Sequence, residues 1–187
     1  SSVNKNPFIG LYARASDKIC LVANAMPQQF QDSLAQALKV PVVHVTLAQS
    51  NLIGIFSALN SNGIVVSEQV ERQEMELLKK QGFNVLKLKK LSPGNGLLVN
   101  DRVCVASHLL SKEDLKEIGD CLGVEVIVRS IAGFKSFGLL NVVTNRGVLL
   151  SNEADDPEVE EVKNVFKVKA SGTGTANAGS SLGISVV

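Results

Sequence analysis

The chain has no tryptophan, a single tyrosine and only 4% aromatic residues. A core built on large rings is thereby excluded, and Val, Ile, Leu and Ala must fill the interior. It also lacks charge of one sign: 19 Lys and Arg stand against 18 Asp and Glu, a formal net charge of +1. Such a surface has no global pull toward polyphosphate, so contact with nucleic acid would have to be local. Cys20, Cys104 and Cys121 are odd in number, widely spaced and form no CxxC pair. That pattern argues against a disulfide frame or a zinc site and for reduced thiols in a reducing compartment. No stretch approaches the roughly 18 apolar residues of a membrane span. The start, Ser1 to Pro7, has no signal-peptide core, so a soluble, cytoplasmic protein is expected. What is plentiful is apolar residue, 45% of 187, enough for the core of one domain or one ring of small repeats.

Those residues recur. Five glycines at the head of short apolar runs, Gly10, Gly54, Gly94, Gly138 and Gly183, are spaced by 44, 40, 44 and 45 residues. Six positions after the first four stand Ser16, Asn60, Asn100 and Thr144, each a turn-opening residue type. The second unit reads most clearly as a hairpin, with Ile55 to Leu59, a turn over Asn60-Ser61-Asn62-Gly63, and Ile64 to Val66. An Asn-Gly pair between apolar runs predicts a two-residue turn with positive φ at both central positions. Core stripes at helical spacing follow: Phe30, Leu34 and Leu38; Met75 and Leu78; Leu115, Ile118 and Leu122; Val159, Val162 and Phe166. Ser111 to Asp114 resembles a capping box, and Asp156 before Pro157 offers an N-cap with proline at the first helical position. A last strand closes each unit, over Val40 to Leu47, Phe83 to Leu91, Val124 to Ile131 and Val165 to Ala170. Each glycine is expected to begin a strand, giving a ββαβ unit. One such unit cannot bury both faces of its sheet, so several must pack around an axis. The expected divisions are 7–50, 51–91, 92–135, 136–179 and a partial fifth unit, 180–187, within a single domain.

The ordered string of units resembles the translation initiation factor 6 family across essentially the whole chain. The resemblance rests on Pro7 to Ala13, Gly94-Asn95 with Val99-Asn100-Asp101, Gly123 to Val126, Val142 to Gly147 and Gly172 to Ser181. It implies a pentein, a pseudo-fivefold α/β propeller of ββαβ repeats, here with the last repeat incomplete. It implies a function as well: a monomeric, non-catalytic factor that binds the large ribosomal subunit and blocks joining of the small one, with a part in ribosome biogenesis and a nucleolar pool in a eukaryote. One face of the disc would meet ribosomal protein and adjacent ribosomal RNA. Asn95 matches a family position implicated in that contact, its repeat equivalents are Leu11, Ile55, Leu139 and Ile184, and Asn177 lies on the approach to the fifth unit. Pro93 departs from the pattern, standing where relatives more often carry an aliphatic residue.

The remaining clusters have plainer readings beside the sharper ones. Lys87, Lys89 and Lys90 are the densest basic group, with Lys87 and Lys89 expected on one strand face. They could meet RNA phosphate or simply guard a solvated edge. Gly172-Thr173-Gly174-Thr175 is neither a dinucleotide fingerprint nor a Walker loop and reads as a linker between units. The acidic run from Glu153 to Glu161 suits a helix start better than a metal. No metal or cofactor is expected. A rival reading is a pentein guanidine-modifying enzyme, which needs a thiolate beside a base and carboxylates. Only His44 and His108 are available as bases, and Cys104 and Cys121 read as small core residues. An interaction scaffold or nucleic-acid clamp is a third reading; a clamp would need a basic bore that a net charge of +1 does not supply.

Overall fold

The computed structural model describes residues 8–175 and 182–185, the side chains of 184 and 185 excepted. It is a mixed α/β molecule in which one set of elements recurs. The first set is a helical turn α1 (Ile9–Tyr12), strands β1 (Ala13–Ala15) and β2 (Cys20–Ala23), helix α2 (Gln28–Leu38) and strand β3 (Val42–Val45). The second runs through α3 (Ile53–Phe56), β4 (Ser57–Leu59), β5 (Gly63–Ser67), α4 (Arg72–Lys80) and β6 (Asn84–Leu88). The third comprises α5 (Pro93–Gly96), β7 (Leu97–Val99), β8 (Val103–Ala106), α6 (Lys112–Leu122) and β9 (Glu125–Val128). The fourth has a non-helical turn at Gly138, then β10 (Val142–Val143), β11 (Gly147–Ser151), α7 (Asp156–Val165) and β12 (Ala170–Gly174), and α8 (Leu182–Ser185) follows. Each set makes its own three-stranded sheet, antiparallel between its first two strands and parallel between its last two, as the helical crossover demands.

Among the described residues three core clusters join successive sets, and a fourth, with Cys20, Val22, Phe30 and Leu34, lies within the first. Leu21, Ala23 and Val45 pack with Ile64, Val66 and Leu78 of the next set. Val65 and Leu88 pack with Cys104, Ile118 and Leu122, and Val103 and Val105 with Val148, Leu150 and Val162. Middle strands are therefore buried on both faces. Leu21, Val65 and Val105 are 0% exposed, whereas Leu149, at the same place in the fourth set, is 37% exposed.

Several expectations need correction. The repeat glycines do not begin strands: Gly10, Gly54, Gly94 and Gly183 sit in single helical turns, and the strands start three residues on at Ala13, Ser57 and Leu97. A four-residue apolar run satisfies either period, and the close approach of neighbouring turns decides in favour of the helix. No positive φ occurs at Asn62 or Gly63. The Asn60 side chain closes that turn instead, its Oδ1 accepting from Asn62 N at 2.9 Å and Gly63 N at 3.0 Å. Gly63 is needed for room, because a Cβ there would lie 2.2 Å from the Cys121 carbonyl oxygen of α6. The left-handed pairs occur elsewhere, at Ala48–Gln49 and Ala132–Gly133, where tight turns cut short the strands expected to reach Leu47 and Ile131. The strand expected over Phe83 to Leu91 is likewise confined to Asn84–Leu88.

Helix α7 continues to Val165, so the last strand of the fourth set is Ala170–Gly174 rather than Val165 to Ala170. Gly172, Thr173 and Gly174 are thus strand residues paired parallel with Leu149, Leu150 and Ser151, not a linker. Asp155, not Asp156, caps α7, its Oδ1 accepting from Glu158 N at 2.9 Å. The capping box at Ser111 and Asp114 is present.

Candidate functional site

In every set the first strand runs away from the glycine turn and the third strand, parallel to the second, returns toward it. The turns at Gly10, Gly54, Gly94, Gly138 and Gly183 therefore share one end of the molecule with the loops that link the sets, and the hairpin turns share the other. At the glycine end the turns are stacked in order. A Cβ on Gly54 would lie 1.9 Å from Gly10 O, one on Gly94 1.8 Å from Gly54 O and one on Gly138 2.2 Å from Gly94 O. Gly183 comes next, with Gly138 O at 2.9 Å from its Cβ position, and α8 lies against α1.

This stack positions the expected contact residues. Leu11, Ile55, Asn95 and Leu139 each follow a stacked glycine and are half-buried. Their backbones form the next layer: Leu11 Cα meets the Gly54 position, Ile55 O the Gly94 position, and Asn95 O accepts from Gly138 N at 2.9 Å. The Asn95 side chain makes no hydrogen bond among the described residues. Ile184 has its backbone in α8, its side chain lying outside the described residues, and Asn177 is outside them altogether.

Lys89 and Lys90 are exposed at the same end, but Lys89 falls beyond β6, so it and Lys87 do not form one strand face. Lys87 Nζ donates to Glu68 O at 3.2 Å. Lys90 and Lys89 are near the start of α6: hydrogen bonds from the Ser111 hydroxyl and N–H hold the Asp114 carboxyl below its usual range, and the two lysines add to that effect.

The hairpin end carries a polar ring absent from the motifs above. Asp17, Ser61, Asp101 and Asn145 occupy one position, seven residues after each glycine. Ser61 N and Oγ donate to Asp101 at 2.7 and 2.8 Å, Asp101 N donates to Asn145 Oδ1 at 3.0 Å, and Asn145 Nδ2 donates to Asp101 at 2.7 Å and Asp17 at 2.9 Å. Burial acts to raise the Asp101 carboxyl, but the bonds from Ser61 and Asn145 outweigh it and hold the group below its usual value. The glycine register contained this signal, since the same offset that found Asn60 and Asn100 finds these residues one place later. Between the two ends is a cavity of about 180 Å³ lined by the first strands, among them Arg14, Ala58, Leu98 and Val142.

The described thiols are not placed as nucleophiles. All three cysteines are buried and unpaired, and burial pushes their thiols up to about 11 at Cys20, 12 at Cys104 and 11 at Cys121. That is opposite to the depressed value a nucleophilic thiolate requires. His44 and His108 are exposed. Among the described residues no group of three or more His, Cys, Asp and Glu side chains could hold a metal ion, and no helix is long and apolar enough to cross a membrane.

Stacked turns at one end, a polar ring at the other and sheets packed against helices and against the neighbouring sets describe a repeat protein whose distinctive surfaces are its ends. Comparison with known proteins supplies the family. The profile of the eIF-6 family matches residues 1–186. Translation initiation factor 6 of Pyrococcus abyssi is 36% identical over 182 residues, covering 93% of this chain and 80% of the relative. The proteins of the same name from Thermoplasma acidophilum and Picrophilus torridus are 35% and 34% identical, with coverage of 96% and 100% of this chain and 83% and 86% of theirs. The chain belongs to the eIF-6 family.

Proposed function

We propose that this protein is a translation factor that binds the large ribosomal subunit, also during subunit biogenesis, and prevents association with the small subunit by steric exclusion, without chemistry of its own. The fold we propose for it is a pentein, a single domain of five units about a pseudo-fivefold axis, of which the fifth is partial. The observation that carries this reading is the match to the eIF-6 family over residues 1–186, joined by relatives named as translation initiation factors. The uninterrupted stack of turns from α1 to α8, with α8 against α1, supports the ring. A rigid stack at one end suits a factor that works by occupying a surface, since little ordering entropy is lost on docking. The face would be the glycine end, with Asn95, Leu11, Ile55, Leu139 and, in the fifth unit, Asn177 and Ile184 toward ribosomal protein, and Lys87 and Lys89 toward adjacent RNA. The factor would act as a cytoplasmic monomer.

Purified subunits on a sucrose gradient test the proposal. The protein is expected to comigrate with the large subunit and to lower the yield of joined ribosomes in proportion to its occupancy. Comigration without any loss of joining would remove the anti-association role, and no comigration would remove the proposal. Asn95→Arg places a long cation on the half-buried layer and is expected to weaken comigration at least about tenfold, a loss of about 1.4 kcal/mol of binding, while the circular dichroism spectrum stays unchanged. Undiminished comigration would take Asn95 out of the contact.

A further inference from the structure

Arg14 occupies the second position of β1, four residues after its glycine. Its counterparts, Ala58, Leu98 and Val142, are apolar and line the same cavity. One cation is thus set into an otherwise small and greasy ring. Its Nη2 donates to Gly54 O at 3.2 Å, and among the described residues its Nε is enclosed and unpartnered and it forms no ion pair. Burial draws the guanidinium down from its ordinary value to about 10, which still leaves it charged at neutral pH. A half-buried guanidinium whose Nε is enclosed and without an ion-pair partner is costly, and water can satisfy its N–H groups without neutralising it.

The two carboxylates that line the cavity, Asp17 and Asp101, are engaged at the hairpin end by Asn145 and, for Asp101, Ser61. Arg14 reaches the other way, toward Gly54 in the stacked turns. The positive and negative groups of the cavity are therefore held apart along its length. Near Arg14 two wall side chains are turned to backbone carbonyls: Ser57 Oγ donates to Ile53 O and Asn141 Nδ2 to Phe137 O. The cavity, at about 180 Å³, has room for a few waters at about 30 Å³ each or for one compact anion.

We propose that the cavity between the first strands is a binding site for a single small oxyanion, of phosphate, sulfate or carboxylate type, held by the Arg14 guanidinium fork. A guanidinium meets such groups with two parallel, charge-assisted N–H bonds. The chloride ion offers no paired oxygens and is expected to bind more weakly.

The full chain, exchanged into anion-poor buffer, can be titrated with inorganic phosphate, sulfate and acetate by calorimetry at fixed ionic strength, with chloride as the reference. Saturable one-to-one binding of at least one oxyanion is expected, with a shift of the Arg14 Nε–H resonance that saturates at the same concentration. The rank among the three salts identifies which oxyanion geometry the site prefers. Arg14→Met, close in length and uncharged, is expected to abolish binding, and Arg14→Lys to weaken it at least about tenfold, the worth of about 1.4 kcal/mol. No saturable binding to the wild-type chain, or equal binding by Arg14→Met, would overturn the proposal. If Arg14→Met fails to fold, the wild-type resonance decides: an Arg14 signal that ignores every oxyanion overturns it equally.

Discussion

At Gly54 a Cβ would stand 1.9 Å from the carbonyl oxygen of Gly10, and at Gly94 one would stand 1.8 Å from that of Gly54. Both obstacles are backbone, which cannot swing aside as a flexible side chain could. Gly54→Ala is therefore expected to cost about 3 kcal/mol in urea denaturation, at the upper end of overpacking effects. Gly174→Ala, with nothing within 4 Å of the new carbon, should change stability by no more than about 0.5 kcal/mol. Equal effects at the two sites would mean that the stack is not confined. The cysteines give a second test at this scale. Their folded thiols are raised to about 11, 12 and 11 from an unfolded value of 9.0. The folded state thus holds thiol protons that the unfolded chain releases above pH 9, so their contribution to stability is complete below that pH and is lost as pH climbs toward 12. Denaturation midpoints should fall over that window with a slope of up to about 1.4 kcal/mol per pH unit for each thiol. Cys104→Ala should make the slope shallower.

The element scale shows where local pattern sufficed and where it could not. Helices were legible because Val159, Val162 and Phe166, or Ile118 and Leu122, lie at helical spacing and are buried. The two left-handed turns were not, because their conformation is imposed from another set of elements. Glu74 of α4 accepts from Ala48 N at 2.9 Å and Gln49 N at 3.1 Å, and Glu158 of α7 accepts from Ala132 N at 3.0 Å through both oxygens. Each carboxylate lies some 26 residues along the chain from the turn it holds, so no window of turn chemistry reveals it. Glu74 also closes the capping box of α4 by accepting from Glu71 N at 2.8 Å. Glu74→Ala removes three charge-assisted bonds from partly solvated donors and is expected to cost about 2 kcal/mol. Glu158→Ala should cost less in the turn, where it holds one N–H, though it also ends the contact with Arg129 at 3.8 Å. If Glu74→Ala is neutral in denaturant titration, Ala48 and Gln49 hold their conformation without it.

Over the whole molecule the glycine period was legible, and the polar contacts that weld the sets together follow the same register. Asn60 Nδ2 donates to Asn100 O at 3.2 Å and Leu122 O at 2.9 Å, and Asn100 Nδ2 donates to Thr144 O at 3.3 Å and Phe166 O at 3.1 Å. Each amide oxygen meanwhile closes its own hairpin, that of Asn100 by accepting from Arg102 N and Val103 N at 2.9 Å. Sequence reading found these residues as turn openers because that half of their role is local. The other half crosses to the next set and to the end of its helix, which only three-dimensional closure brings near. Asn100→Ala leaves buried carbonyls and N–H groups without partners and is expected to cost about 3 kcal/mol. Tyr12, the only tyrosine, stands in the first set, far along the chain from Asn100. If the sets fold as one cooperative body, Tyr12 fluorescence and circular dichroism should report the same lowered midpoint in Asn100→Ala. Should Tyr12 keep the wild-type midpoint while the dichroism shifts, the sets unfold separately, and a rigid end presented to a ribosomal surface loses its physical basis.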